Sequence, residues 1–387
     1  MKLHIEKDAL LQGTGRTQGV IDRRGTMPIL SHCLLEAEGD QLKISATDYE
    51  VSFRGYYPAQ VLENGGQTVP AINFFNIVKE MPAGQISIES TDTSNLILSR
   101  GDTRYKFLGL PMDNFPPLPN LEDRPMVTVK NAVLREMLEK TIFSIATEDL
   151  QQHLTGVFCE RVPDSNKLRL VSSDGHRLSL IDREFLTGEE FELEQGILIP
   201  RKGVTEILRL LAEEGECALG REKKNLVLKQ GLDYLYVRLL EKKFPDYHRI
   251  IPGSPHIRLA INRKALLEIL KRISLLSTEK FKGVLLRVSD GWLDIRYQNP
   301  EVGGGDERLP VTVTVLTEVE EPEPEKEEDR LLAVPFEVSY NARYLMEPLS
   351  VMQSEEVYLE LTKKKKPVCL RDARDPDYLS IVMPMDL

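Results

Sequence analysis

Lys2-Leu3-His4-Ile5, Met126-Val127-Thr128-Val129 and His256-Ile257-Arg258-Leu259 are short alternating stretches, and each runs into an amphipathic pattern at Ala9-Leu10-Leu11, Val133-Leu134 and Leu266-Leu267. Period-two alternation followed by helical spacing predicts a strand entering a helix. Met three times in one chain, the pattern sets the architecture before any motif is considered.

Further landmarks repeat in the same order. A turn followed by a strand occurs at Gly39-Asp40-Gln41-Leu42-Lys43-Ile44, at Asp164-Ser165-Asn166-Lys167-Leu168-Arg169-Leu170 and at Asp290-Gly291-Trp292-Leu293-Asp294-Ile295. Leu42, Leu168 and Leu293 recur at about 125-residue intervals, a full domain length. A second strand-to-helix entry reads Thr68-Val69-Pro70-Ala71-Ile72, Leu198-Ile199-Pro200-Arg201-Lys202 and Val338-Ser339-Tyr340-Asn341-Ala342. Strand pairs close each segment: Asn95 to Leu98 with Tyr105 to Phe107, Asn225 to Leu228 with Tyr234 to Val237, and Pro367 to Leu370 with Tyr378 to Ile381. Each segment therefore predicts an α+β domain, with two helices packed on antiparallel sheet. Pro116-Pro117-Leu118-Pro119 and Ile251-Pro252-Gly253-Ser254-Pro255 break regular structure between segments, placing three domains at residues 1–124, 125–255 and 256–387. That division suits a chain of 387 residues, too long for one ordinary core.

Composition narrows the function. Charged residues make up 29% of the chain, and no apolar run approaches the ~20 residues that span a bilayer. The N-terminus alternates polar with apolar and turns acidic at once, unlike a secretory signal, so a cytoplasmic protein is expected. Cys33, Cys159, Cys217 and Cys369 lie far apart with no CxxC pair, which predicts reduced core thiols and no zinc ribbon. The net charge of −11 predicts repulsion from nucleic acid unless positive charge is gathered locally.

It is gathered on the predicted helices. Arg16, Arg23, Arg24, Lys79, Lys130, Arg135, Lys140, Arg201, Lys202, Arg209, Arg263, Lys264, Lys271, Arg272 and Arg343 lie on or beside them, against fewer acids. In the helix beginning near Asn131, Val133, Leu134, Met137, Leu138, Thr141, Ile142 and Ile145 form the apolar stripe, leaving Arg135, Glu136, Glu139 and Lys140 outside. Taken singly, such a helix is a solvated amphipathic surface. Six of them with a shared basic bias in an acidic chain point to a polyanion, and no base-reading helix is evident, so phosphate rather than sequence is the expected contact.

An enzyme reading would use Ser173, Asp174 and His176, as a hydrolytic set or as metal ligands. Three triad members within four positions cannot readily align nucleophile, base and orienting acid, and no nucleophile-elbow pattern is present. The histidines form no HExxH pair. No catalytic residue, metal site or cofactor is expected.

Thr26-Met27-Pro28-Ile29-Leu30, Ser173-Asp174-Gly175-His176-Arg177-Leu178, Ile199-Pro200-Arg201-Lys202-Gly203, Phe244-Pro245-Asp246-Tyr247, Glu279-Lys280-Phe281-Lys282-Gly283-Val284 and Val382-Met383-Pro384-Met385 resemble the bacterial beta clamp family, in the same order nearly end to end. The resemblance implies a ring-shaped homodimer of three-domain subunits joined head to tail, helices lining the hole, sliding on double-stranded DNA and tethering the replicative polymerase. It places DNA-facing positions on Arg24, Lys79, Arg201 and Lys202, whereas Gln151 and Glu148 lack the charge for such contact. The dimer interface would use Tyr105, Leu275 and Leu276, although the two leucines also read as ordinary core. A pocket for short linear motifs of polymerase, clamp loader and repair proteins would comprise Leu154, Ser173, Gly175, His176, Arg177, Leu178, Pro245, Arg249, Ile250, Tyr340, Val382, Met383, Pro384 and Met385. Methionine and proline make an adaptable surface of low polarity. Glu337, Lys365 and Asp386 depart from the family's rim and would shift partner preference. A specialised paralogue with a resistance or repair role is the alternative within the same fold.

Between its turn-and-strand landmark and its closing strand pair the third segment is longer than the other two by roughly 17 to 21 residues, and the excess is the run Glu318 to Asp329. Alternating Glu and Pro with like charges cannot bury enough apolar surface to fold, so a loop between strands is expected, with an acidic partner tail as the alternative. Replacing Glu318 to Asp329 by a short Gly-Ser linker should leave the melting temperature and the mass by light scattering nearly unchanged. A large loss of stability would show a structured element there.

Overall fold

The structure, a computed structural model, describes the chain apart from residues 92–94, 119–125, 148, 185–192, 194–195, 279, 290, 317–331, 364–365 and 386–387, and apart from the side chains of 149–151. The acidic run, Glu148, Lys365 and Asp386 thus lie outside the described residues. Among the described residues the α-helices are α1 (Lys7–Thr17), α2 (Ala71–Glu80), α3 (Asn131–Glu139), α4 (Arg201–Leu210), α5 (Arg263–Ser274) and α6 (Ala342–Val351). Each follows directly on a strand, as the repeated landmarks predict.

Local chemistry explains these entries. Pro70 and Pro200 precede α2 and α4, where a missing N–H costs nothing. The side-chain oxygens of Asn262 and Asn341 accept from Ala265 N and Arg343 N at 3.0 Å, capping α5 and α6. On α5, Leu266, Leu267, Ile269, Leu270 and Ile273 form one buried face, each contributing roughly 1.5 to 3 kcal/mol by burial. The α3 helix stops at Glu139, short of the apolar stripe read to Ile145, and a tighter turn follows at Ile142–Ser144. Thr141 Oγ1 donates back to Met137 O at 2.8 Å, a local bond that competes with helix continuation.

A basic or amide side chain near the start of each repeat's first helix reaches the end of its second. Lys7 Nζ donates to Lys79 O at 2.8 Å and to Met81 O. Asn131 Nδ2 donates to Glu214 O at 2.8 Å, and Arg135 Nη2 to Leu211 O at 2.7 Å. Arg263 donates to Ser354 O at 2.7 Å and to Leu349 O at 2.9 Å. Cations at these carbonyls oppose the negative end of the helix dipole, worth about 0.3 to 1 kcal/mol each. Arg135 is therefore committed to α4 rather than left outside.

Chain contacts divide the molecule into two units, residues 1–135 with 185–241 and residues 136–184 with 242–387. The division runs through the second repeat because its strands pair in two directions. In the first unit, Asp233–Arg238 lies antiparallel to Val51–Pro58, extending one sheet from Met126–Lys130 to Gly65–Pro70. A five-stranded sheet in the same unit ends on Thr103–Leu108. In the second unit, Arg177–Glu184 lies antiparallel to Asp375–Val382, with Ile181 opposite Tyr378. A four-stranded sheet there ends on Gly303–Pro310.

Ionic clusters lie beside both seams. In the first unit, Tyr57 Oη donates to Asp233 Oδ1 at 2.7 Å, and Arg16 Nε stands 3.7 Å from Oδ2. In the second, Arg183 and Lys140 each bridge Glu136 and Asp375 at 2.6 to 2.7 Å. Lys140, expected outside, is only 3% exposed, because two carboxylates and the Tyr378 ring receive its ammonium. All four cysteines are buried free thiols, and burial pushes Cys217 up to about 11.

Burial alone would raise the Glu136 and Asp375 carboxyls, but hydrogen bonds from Arg183 and then Lys140 outweigh it and hold both below the usual range. Folded values below unfolded ones give stability that is present above the unfolded values and lost as pH falls through the folded ones. Asp375→Asn should therefore lower the urea midpoint most at neutral pH, with the gap to wild type closing in acid as the native carboxyl protonates. A gap independent of pH would sink this account.

Candidate functional site

The Ser173–Arg177 segment joins the strands Lys167–Ser173 and Arg177–Glu184, and its side chains build the turn. Ser173 Oγ donates to Arg177 O at 2.7 Å and accepts from Gly175 N at 3.1 Å. Asp174 Oδ1 accepts from His176 N and Arg177 N at 3.0 and 3.1 Å. Gly175 has φ +86°, a conformation costly for a residue with a Cβ. The hydroxyl and carboxylate singled out for chemistry are thus used to shape a turn.

Arg177 is buried. Its guanidinium donates to Asp174 Oδ2 at 2.9 Å, to Glu347 and to Phe143 O, and it stacks 4.3 Å from the Tyr344 ring centroid. His176 points outward with its ring 6.5 Å from that of Tyr344. The C-terminal strand arrives alongside: Met383 N donates to His176 O at 2.9 Å, and Met385 N to Ser339 O at 2.8 Å.

The Phe244–Ile250 segment is held by its aromatic residues. Phe244 stacks on Phe158 with centroids 5.2 Å apart, while Tyr247 Oη donates to Glu160 and accepts from Arg169 at 3.1 Å. Burial, then the bond to Glu160, raises the Tyr247 phenol. Pro245, His248 and Arg249 are left exposed, with Arg249 Nε 2.9 Å from Asp246. Ile250 is half-buried.

The expected pocket residues fall into two groups by exposure. Gly175, His176, Pro245, Arg249 and Met385 are exposed, and Ile250, Met383 and Pro384 are partly so. Leu154, Ser173, Arg177, Leu178, Tyr340 and Val382 are buried, so their place is beneath the surface rather than at it. Leu178, Tyr340 and Val382 are 0% exposed. Phe143, Tyr344, Tyr247 and Glu347 join the site without having been singled out; Glu347 lies 170 residues from Arg177, and no local spacing announces the pair.

Arg24 and Lys79 are exposed, and neither forms an ion pair among the described residues. Arg201 and Lys202 open α4 and are half-buried. Lys202 Nζ is engaged by Asp48 and by Val20 O at 3.2 Å, so its charge is already largely answered and it is a weaker phosphate contact than its position implied. On α5, Lys264 and Lys271 are also exposed. Gln151 falls among the side chains outside the description. Tyr105 is 41% exposed on the edge strand Thr103–Leu108, and Leu275 is 84% exposed after α5, which removes the core reading for that leucine. Leu276 is half-buried, its carbonyl accepting from Tyr297 Oη at 2.9 Å.

A threefold α+β repeat with open sheet edges, a basic helix set and an apolar rim defines a scaffold of the clamp class. The chain matches the DNA polymerase III beta subunit N-terminal domain over residues 1–119, the central domain over 128–246 and the C-terminal domain over 248–386. It is 31% identical to the beta sliding clamp of Pseudomonas putida over 389 residues and 29% identical to that of Escherichia coli K12 over 389, with 100% of each chain covered. Among solved structures, a Caulobacter crescentus beta sliding clamp superposes with a TM-score of 0.88 at 30% identity, and a Bartonella birtlesii clamp bound to griselimycin with 0.90 at 28%, each covering 100% of both chains. The chain belongs to the DNA polymerase III beta subunit family, and its function is that of a DNA sliding clamp.

Burial separates two substitutions that the sequence alone would treat alike. Leu178→Ala should cost about 2 to 5 kcal/mol in urea unfolding through the cavity it leaves. Met385→Ala, at an exposed position, should cost less than about 1 kcal/mol. Equal losses would place Met385 in the core.

Proposed function

We propose that two copies of this chain join head to tail into a closed ring around duplex DNA, slide on it without reading sequence, and tether the replicative polymerase, clamp loader and repair proteins through the surface at Gly175–His176 and Met383–Met385. The chain acts as a cytoplasmic processivity factor that performs no catalysis and needs no cofactor, with its three domains divided near residues 124 and 255. No helix among the described residues is long and apolar enough to cross a membrane.

The observation that carries the ring is a pair of open sheet edges. Thr103–Leu108 ends one sheet and exposes Arg104, Tyr105 and Lys106. Gly303–Pro310 ends another, its Asp306 and Glu307 paired within the chain to Arg296 and Arg272. An unpaired edge invites another strand. Such a contact is heterologous, and it stays finite only when the assembly closes. Exposed Arg24, Lys79, Lys264 and Lys271 then supply loose phosphate contacts, which suit sliding.

A closed ring need not dissociate when its ion contacts are screened. Once loaded, the protein should remain on nicked circular DNA through a salt rise that strips ordinary phosphate binders, and should run off the same DNA after linearisation. Equal retention on both forms by gel filtration would overturn the ring.

A further inference from the structure

We propose that Glu347 is a positioning residue of the peptide surface: its carboxylate holds Arg177, and through Arg177 the Ser173–Arg177 turn, in the conformation that presents His176 and Met383–Met385 to a partner. The inference rests on the assignment of that surface to partner peptides.

Glu347 lies on α6 and is half-buried. Its two oxygens serve two arginines of different kinds. Oε2 accepts from buried Arg177, and Oε1 accepts from Arg343 Nε at 2.8 Å, whose side chain is 72% exposed. Arg177 is buried, Asp174 Oδ2 and Phe143 O accept from its guanidinium beside Glu347, and Tyr344 covers its face. Removing one acceptor from a buried guanidinium leaves a charge to be satisfied elsewhere, and the available acceptor is the Asp174 carboxylate or bulk solvent. Either choice disturbs Asp174, whose other oxygen caps His176 N and Arg177 N. His176 O is also the acceptor for Met383 N, so a change in the turn propagates by one hydrogen bond to the methionine strand. Tyr344, between His176 and Arg177 and three residues before Glu347 on the same helix, keeps these parts in register.

The test uses the full-length chain and a fluorescent peptide taken from the C-terminal clamp-binding segment of a bacterial replicative polymerase, with affinity read by anisotropy. Glu347→Ala should weaken binding about tenfold, Glu347→Asp should recover most of it, and Arg343→Gln should stay within about twofold of wild type. Because Glu347 acts through Arg177, Arg177→Gln with Glu347→Gln should be no weaker than Arg177→Gln alone, a non-additivity that general destabilisation would not produce. Melting temperatures show that each variant is folded at the assay temperature. Met385→Ala separates the two levels of the reading. If Met385→Ala weakens binding and Glu347→Ala does not, the positioning role is wrong while the surface stands. If neither changes affinity, the surface itself is wrong and the inference falls with it. Arg343→Gln as damaging as Glu347→Ala would also overturn the proposal, since the loss would then track the charge of the helix surface.

Discussion

Everything in the second unit depends on the antiparallel register of Arg177–Glu184 with Asp375–Val382. Arg177 faces Val382 and Ile181 faces Tyr378, which sets the turn and the C-terminal methionines side by side. A slip of one residue would turn every side chain of one strand to the opposite face, so this register is specified by its buried partners rather than by local propensity. Arg177–Asp182 and Tyr378–Val382 are buried, and the bridge of Arg183 and Lys140 to Glu136 and Asp375 adds an electrostatic penalty to any misalignment.

Charge on the helices serves two ends that composition cannot separate. Lys7, Arg135 and Arg263 spend their donors on the carbonyl ends of neighbouring helices, and Lys140 is buried between carboxylates. Arg272 and Arg343 are paired with Glu307 and Glu347. The basic bias read from the chain is thus partly structural. What remains available to phosphate is a smaller, exposed set, which favours weak and mobile contact over tight binding, in keeping with a protein of net charge −11.

The threefold repeat was legible because strand and helix periods differ, and because Pro70, Pro200, Asn262 and Asn341 mark helix entries by local chemistry. The apolar and turn residues of the site were legible through their resemblance to a family. Their depth was not. Leu178, Tyr340 and Val382 lie in strands flanked on both faces, and a continuous apolar run does not announce which of its members reach the surface. The Arg177–Glu347 pair and the burial of Lys140 depend on tertiary placement across long separations, for which the chain carries no periodic signal.

One backbone frame occurs twice with different side chains, and the difference explains where an adaptable surface can form. In the first unit, Tyr49 N donates to Thr47 Oγ1 at 3.0 Å, and Glu50 N and Val51 N donate to Asp48 Oδ1 at 3.0 and 2.8 Å, as in the Ser173–Arg177 turn. The following strand repeats the frame as well: Arg238 N donates to Glu50 O at 2.8 Å and Leu240 N to Leu198 O at 2.9 Å, matching Met383 with His176 and Met385 with Ser339. At the left-handed position the first copy has Tyr49, φ +72°, and the second has Gly175, which takes that conformation without strain. Beyond the strand the first copy runs into Arg238 and Glu241, whose solvation opposes apolar docking, and the second into Met383, Pro384 and Met385. Backbone pairing supplies the same scaffold in both places, and a handful of side chains sets the two surfaces apart.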